Sequence, residues 1–172
     1  MPRFLAIALA AVPTAVQTQV PAEFGWFGQL AGACWRGEHP GGRLRDEQCY
    51  SSQFGRFMRG TIALTPAGPG RDGPSHQGDS VFAWDPEQQR ILFYFWGSDG
   101  RHGVSHGLYE GDDLVFPSAP ASAGQAAGRR TVWRRIDAES YRVSVQTQVD
   151  GRWTDQMQVI YRKSGSGSGT TE

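Results

Sequence analysis

Histidines, cysteines and carboxylates are the residues through which this chain could do chemistry, and their spacing narrows what that chemistry is. The four histidines are His39, His76, His102 and His106. His102 and His106 share one strand face, but at about 3.3 Å per residue they stand about 13 Å apart, too far to hold one metal unless the chain bends at Gly103. His39 and His76 lie in or beside turns, where a solvated imidazole is the ordinary state. The two cysteines, Cys34 and Cys49, are better explained by a disulfide, so the residues offer no zinc set. Asp46 or Glu47, with Tyr50, Arg59 or Tyr161 beside it, is the one conceivable acid/base group, because a carboxylate enclosed in an apolar interior has a raised pKa. Lone interior carboxylates are more often paired with arginine.

Gly78-Asp79-Ser80 resembles the nucleophile block of the Gly-Asp-Ser-Leu esterases, which need a histidine late in the chain; none follows His106. There is no Gly-x-Ser-x-Gly elbow, no Walker loop and no dinucleotide fingerprint. Lys plus Arg and Asp plus Glu are 17 each, so no net field draws the chain to nucleic acid or an anionic membrane. The residues therefore name no catalytic set, no metal and no cofactor.

The elements that would position these groups are strands. Between Cys34 and Cys49 the chain writes a hairpin with Gly41-Gly42 at its midpoint. With a two-residue turn there, paired positions sum to 83: Arg36 faces Glu47, Glu38 faces Arg45, and Cys34 faces Cys49 within disulfide reach. Counting outward puts the cysteines at a hydrogen-bonded pair, whereas the closer approach belongs to the other kind, so a bulge near Pro40 would shift the pairing by one. A bridge there implies an oxidising compartment.

Further strands follow at Phe57–Leu64, Val81–Trp84, Ile91–Trp96, Val104–Tyr109, Asp113–Phe116 and Thr131–Ile136. Tyr141 to Val149 alternates most clearly, with Tyr141, Val143, Val145, Thr147 and Val149 on one face. After Asp150-Gly151, the last strand continues an inward face through Trp153, Met157, Val159 and Tyr161. About ten strands with turn signals between them predict an all-β, antiparallel up-and-down barrel of about 8–10 strands, preceded by one or two helical turns within Phe24–Leu30. Pro66–Gly78 and Pro117–Gly128 are long Pro-, Gly- and Ala-rich connections, either lids over a cavity or tolerated insertions.

Residues 1–22 read as an export signal: Arg3, then the apolar run Phe4–Val12, too short to span a bilayer, with cleavage after Ala22 or Ala15. A buried N-terminal helix is the alternative. Ala31-Gly32-Ala33-Cys34 is a poor acylation site, because Ala31 stands where leucine is usual. The barrel domain is expected over 23–163, with Ser164–Glu172 a flexible Gly/Ser tail. The reading is of a secreted or periplasmic bacterial protein with no membrane span.

A barrel of this size leaves interior volume for a ligand. The cavity candidates are Trp35, Asp46, Gln48 and Tyr50 of the first hairpin, with Met58, Arg59, Phe93, Tyr141, Trp153 and Tyr161. Gln48, Arg59 or Tyr161 would orient a polar end among aromatic walls. Ile91–Trp96 is apolar on both faces; Leu92, Tyr94 and Trp96 must meet a cover, either the N-terminal Phe24–Phe27 segment or a second copy in a homodimer.

Three stretches carry a family likeness: Leu30 to Glu38 (LAGACWRGE), Trp84-Asp85-Pro86 followed by Tyr94-Phe-Trp96, and Gly151-Arg-Trp153 leading to Ile160-Tyr161-Arg162-Lys163. Together they resemble uncharacterised bacterial lipocalin-like (calycin) barrel families, particularly the DUF1579-type secreted or periplasmic proteins. The resemblance implies a barrel plugged at one end by an early Gly-x-Trp strand, although Gly32 and Trp35 here are separated by two residues instead of one. Calycin relatives include fatty-acid carriers, transporters of small apolar molecules and nitrobindin-like haem proteins. The haem group needs a histidine in the closing strands, where this chain has Gln156, Gln158 and Tyr161. The leading expectation is thus a barrel that binds a small hydrophobic or amphipathic ligand. A lipocalin-like isomerase or cyclase on an apolar substrate, and an envelope interaction module with a packed interior, are the alternatives.

Overall fold

The computed structural model describes residues 20–68, 73–118 and 128–166. A 3-10 segment, Ala22–Leu30, precedes ten strands: β1 (Ala33–Glu38), β2 (Leu44–Gln53), β3 (Phe57–Pro66), β4 (His76–Asp85), β5 (Arg90–Gly97), β6 (His102–Glu110), β7 (Asp113–Pro117), β8 (Arg129–Arg135), β9 (Ser140–Val149) and β10 (Arg152–Ser166). Each strand pairs antiparallel with its neighbour in sequence, and β1 also pairs with β10, so the sheet closes into an up-and-down barrel without an edge. Residues 1–19 of the expected export signal (1–22) and the centres of both long connections lie outside the described residues. The last strand runs through Ser166 with Gly165 facing Cys34, so the barrel ends later than the Lys163 boundary read from composition.

The first hairpin has the expected register by a different turn. Cys34 faces Cys49 and is bonded to it, Arg36 faces Glu47, and Glu38 faces Arg45. The His39 N–H donates to Leu44 O at 3.0 Å, and the Gly42 N–H donates back to His39 O at 3.0 Å. A longer loop, Pro40–Arg43, therefore closes on the His39/Leu44 pair, with Gly41 at φ 83° and Gly42 at φ 64°, in the left-handed region where glycine is at ease. Lengthening the loop symmetrically keeps the position sum but inverts the hydrogen-bond phase. The cysteines then occupy a non-hydrogen-bonded pair with Cα atoms 3.9 Å apart, and no bulge at Pro40 is required.

One end of the barrel is stoppered by the 3-10 segment. At three residues per turn, Phe24, Phe27 and Leu30 fall along a single line, and all three are buried. Gly25 divides the segment at φ 56°, and a Cβ there would stand 2.9 Å from Tyr109 Oη. That closeness has a purpose: the Tyr109 hydroxyl donates to Phe24 O at 2.7 Å and accepts from the Phe27 N–H at 3.4 Å. Trp26 Nε1 donates to Asp112 O in the β6–β7 turn, and Trp35 Nε1 donates to Leu30 O. The stopper is thus this segment; Trp35, the residue expected to line a cavity or form the plug, is buried in β1 as its anchor. Met58 is likewise fully enclosed in the stoppered half.

Alternation along the strands sends most charges outward, with Asp46 on β2 the buried exception among the described residues. Arg36 pairs with Glu47, Arg59 with Asp79 at 2.9 Å, and Arg134 with Asp113, so the outer wall carries ion pairs instead of the apolar band a lipid-facing barrel needs. Among the described residues no helix is long and apolar enough to cross a membrane. Two cavity candidates belong to this wall. Arg59 alternates with Met58 and Gly60, which point inward, and so points to solvent. Trp153 is displaced by a bulge between Asp155 and Met157: Met157 pairs with Val145, but Trp153 pairs with Gln148, on the opposite face. The indole is 38% exposed, with the Arg130 guanidinium 4.2 Å from its ring centre. Leu92, Tyr94 and Trp96 also lie outside, opposite His106, Val104 and His102. The N-terminal segment does not cover them, because its aromatic rings are spent on the interior.

Candidate functional site

Beyond the stopper the barrel interior opens into a recess. This recess of about 310 Å³ is walled by Tyr50, Ile62, Phe82, Phe93, Phe95 and Trp133, with Gln48 beside Tyr50 and with His76, Asp79, Asp99 and Arg101 around its mouth. Its walls follow from period-two alternation: Phe82 on β4 and Phe93 on β5 are cross-strand partners and stack at 4.7 Å with 16° between planes, and Phe95 continues the ladder at 5.5 Å. Phe27 of the stopper meets Phe82 edge-on at 4.8 Å and Trp133 at 5.4 Å, so the inner end of this aromatic cluster is tied to the plug. A second recess of about 350 Å³, toward Val104, Phe116 and Thr131, shares Phe82, Phe93, Phe95 and Trp133 with the first.

Beside the recess lies a buried polar network. Tyr50 Oη donates to Gln48 Oε1 at 2.5 Å and Tyr141 Oη donates to the same oxygen at 3.1 Å. Gln48 Nε2 donates to Tyr161 Oη at 3.0 Å and toward Asp46 Oδ2 at 3.3 Å, and Tyr161 Oη donates to Asp46 Oδ2 at 2.6 Å. The Tyr141 and Tyr161 rings stack 4.9 Å apart. Hydrogen-bond polarity thus runs from the tyrosines through the Gln48 amide to a terminal carboxylate.

Burial raises the Asp46 pKa, opposed by its hydrogen bonds to Tyr161 and Gln48 and by the charge of His39. His39 Nε2 lies 3.6 Å from Asp46 Oδ2, and neither His39 Nε2 nor Asp46 Oδ1 has a hydrogen-bond partner among the described residues. Burial also holds Tyr50, Tyr141 and Tyr161 well above the usual phenol range, so all three remain protonated donors. Tyr109, at the stopper, is pushed up to about 12 by burial.

The structure therefore brings Asp46, Gln48, Tyr50, Tyr141 and Tyr161 together, and sets Phe93 in the wall of the recess. Of these, Gln48, Tyr50 and Phe93 line it. Glu47 and Arg59, named with Asp46 as acid/base partners, face outward. Phe82, Phe95 and Trp133 are wall residues that the sequence pattern did not single out. Phe95 stands on the same face as Phe93 in Ile91–Trp96, and that alternation is the available signal; for Trp133, between Val132 and Arg134, it is weaker.

No family model matches this chain, and no curated protein does. Among solved structures it is similar to the crystal structure of Rv2717c from M. tuberculosis, at 16% identity and a TM-score of 0.55, over 84% of this chain and 99% of that one. It is also matched by a de novo designed fluorescence-activating β-barrel, at 14% identity and a TM-score of 0.39, over 79% of this chain and 95% of the design. The likeness to the first is one of fold.

Proposed function

We propose that this protein is a calycin-type barrel that binds a small hydrophobic or amphipathic molecule in its unstoppered half, and that it works in the secreted or periplasmic space of a bacterium. The observation that carries the reading is the recess of about 310 Å³, bounded by stacked aromatic rings and given one polar flank by Gln48 and Tyr50. Its size and its mixture of apolar walls with few polar groups are those of small-molecule sites. The Cys34–Cys49 bridge supports the compartment, since such bonds persist where the surroundings oxidise. Asp46 stands behind Gln48 and Tyr50 and is not among the groups that line the recess, so an acid/base reaction on a bound substrate gains no support from its place.

Native mass spectrometry of the full chain, purified without detergent, tests the reading, together with titration of the environment-sensitive dye N-phenyl-1-naphthylamine. A co-purified small molecule or saturable dye binding is expected, and Ile62→Trp, which drives an indole into the recess, should abolish both. Absence of any bound mass and of dye binding would sink the proposal.

A further inference from the structure

The direction of the hydrogen bonds in the polar network says which kind of polar group the recess accepts. The Gln48 amide has one orientation compatible with its neighbours. On the Asp46 side it meets a carboxylate oxygen, which only accepts, so Nε2 must point there and Oε1 must point to Tyr50 and Tyr141. Every donor is then used: Tyr50 and Tyr141 donate to Oε1, Tyr161 donates to Asp46, and both Gln48 N–H groups face Tyr161 and Asp46. What the network leaves toward the recess is the lone pairs of Tyr50 Oη, with the Asp46 carboxylate behind them. A ligand acceptor would have to pull the Tyr50 proton away from Gln48 Oε1. A ligand donor needs no rearrangement.

Charge acts in the same direction. At the mouth, the Arg101 guanidinium lies 3.4 Å from Asp99, and His76 Nδ1 lies 3.8 Å from the same carboxylate, so the guanidinium there already faces an anion. Asp79 is held by Arg59.

Building on the ligand-binding reading above, we infer that the recess takes molecules whose polar end is a neutral or cationic hydrogen-bond donor, such as an alcohol, amide or amine, and discriminates against carboxylates and sulfonates.

Two dyes of nearly the same shape test this in the full chain: N-phenyl-1-naphthylamine, a neutral N–H donor, and 1-anilinonaphthalene-8-sulfonate, which adds an anion. The neutral dye is expected to bind about tenfold tighter or better, as burying a sulfonate where the network offers it no free donor costs at least that much. Dodecanol and dodecylamine should displace it at lower concentration than dodecanoate. If the sulfonate dye binds as tightly, or dodecanoate displaces best, the donor rule is overturned while the binding site stands. If neither dye nor any dodecyl compound binds, the binding reading itself fails and takes this inference with it. Asp46→Asn removes the carboxylate that orients Gln48 and should narrow the preference between the dyes while retaining the neutral one. An unchanged preference in a variant that still binds the neutral dye refutes the role given to Asp46.

Discussion

Removing the Cys34–Cys49 bridge is the perturbation whose size the structure fixes most directly. The bonded residues are 15 apart in sequence, and cross-linking a loop of that length removes conformational freedom from the unfolded chain worth about 3 kcal/mol at 25 °C on the chain-entropy account. The folded state should lose little else, because the two cysteines face each other across the β1–β2 ladder and are flanked on the same wall by Arg36–Glu47 and Glu38–Arg45. In Cys34→Ser/Cys49→Ser the barrel should therefore keep its far-ultraviolet spectrum and dye binding. For a domain of this size a loss of about 3 kcal/mol lowers the urea midpoint by about 1.5 M at a slope near 2 kcal/mol/M, and the melting temperature by roughly 6–12 °C. Urea melts of the oxidised protein, the reduced protein and the double variant give the comparison. Reduced protein and variant should coincide. A midpoint that does not move on reduction would refute the entropic reasoning, and a variant that loses dye binding would mean that the bridge shapes the interior.

The stopper should be worth more than the bridge: Phe27→Ala, at a fully buried ring that meets Tyr50, Phe82 and Trp133, is expected to cost about 3–5 kcal/mol in denaturant melts, and a cost below about 1 kcal/mol would contradict its place in the core. On the outer wall, Arg59→Ala and Trp153→Ala should each change stability by no more than about 1 kcal/mol and leave dye affinity unchanged, since one is an exposed ion pair and the other a half-exposed indole; loss of dye binding in either would put that side chain back inside. The Asp46 pKa is raised in the folded protein, so the folded state binds that proton more tightly than the unfolded chain, and Asp46's contribution falls as pH rises through its folded pKa. Asp113, lowered first by its hydrogen bond to Arg134, works in the opposite sense, its contribution being present above the usual carboxylate range and lost as pH falls below it. Urea midpoints from about pH 4 to about pH 8 should accordingly decline less steeply in Asp46→Asn than in the wild type, with the acid limb of both alike; parallel curves across that range would remove Asp46 from the account.

Much of the barrel was legible because the signals that encode it are local. Alternation with period two marked the strands and separated Phe93 from Leu92 and Tyr94, and paired charges around Gly41-Gly42 set the first register. The same alternation, applied to Met58, already placed Arg59 outside; proposing it as a ligand contact set residue type above register. Trp153 went astray for another reason. A single extra residue at Gln156 reverses which face looks inward, and such a bulge has no composition of its own, since it is fixed by how β9 and β10 must stagger to close the barrel.

The sequence by itself determined the strands, their antiparallel order and the facing cysteines, all of which depend on neighbours within about a hairpin's length. Only the tertiary structure decided what fills the interior. Closure of β1 onto β10 brings Tyr161 within 2.6 Å of Asp46 across 115 residues, and Tyr141 to Gln48 across 93. Folding of Ala22–Leu30 into one end stoppers it and leaves a recess of about 310 Å³ beyond. Neither follows from any local pattern, because each is a contest for the same enclosed volume among side chains from distant strands, settled by which rings pack together and which polar groups find partners there.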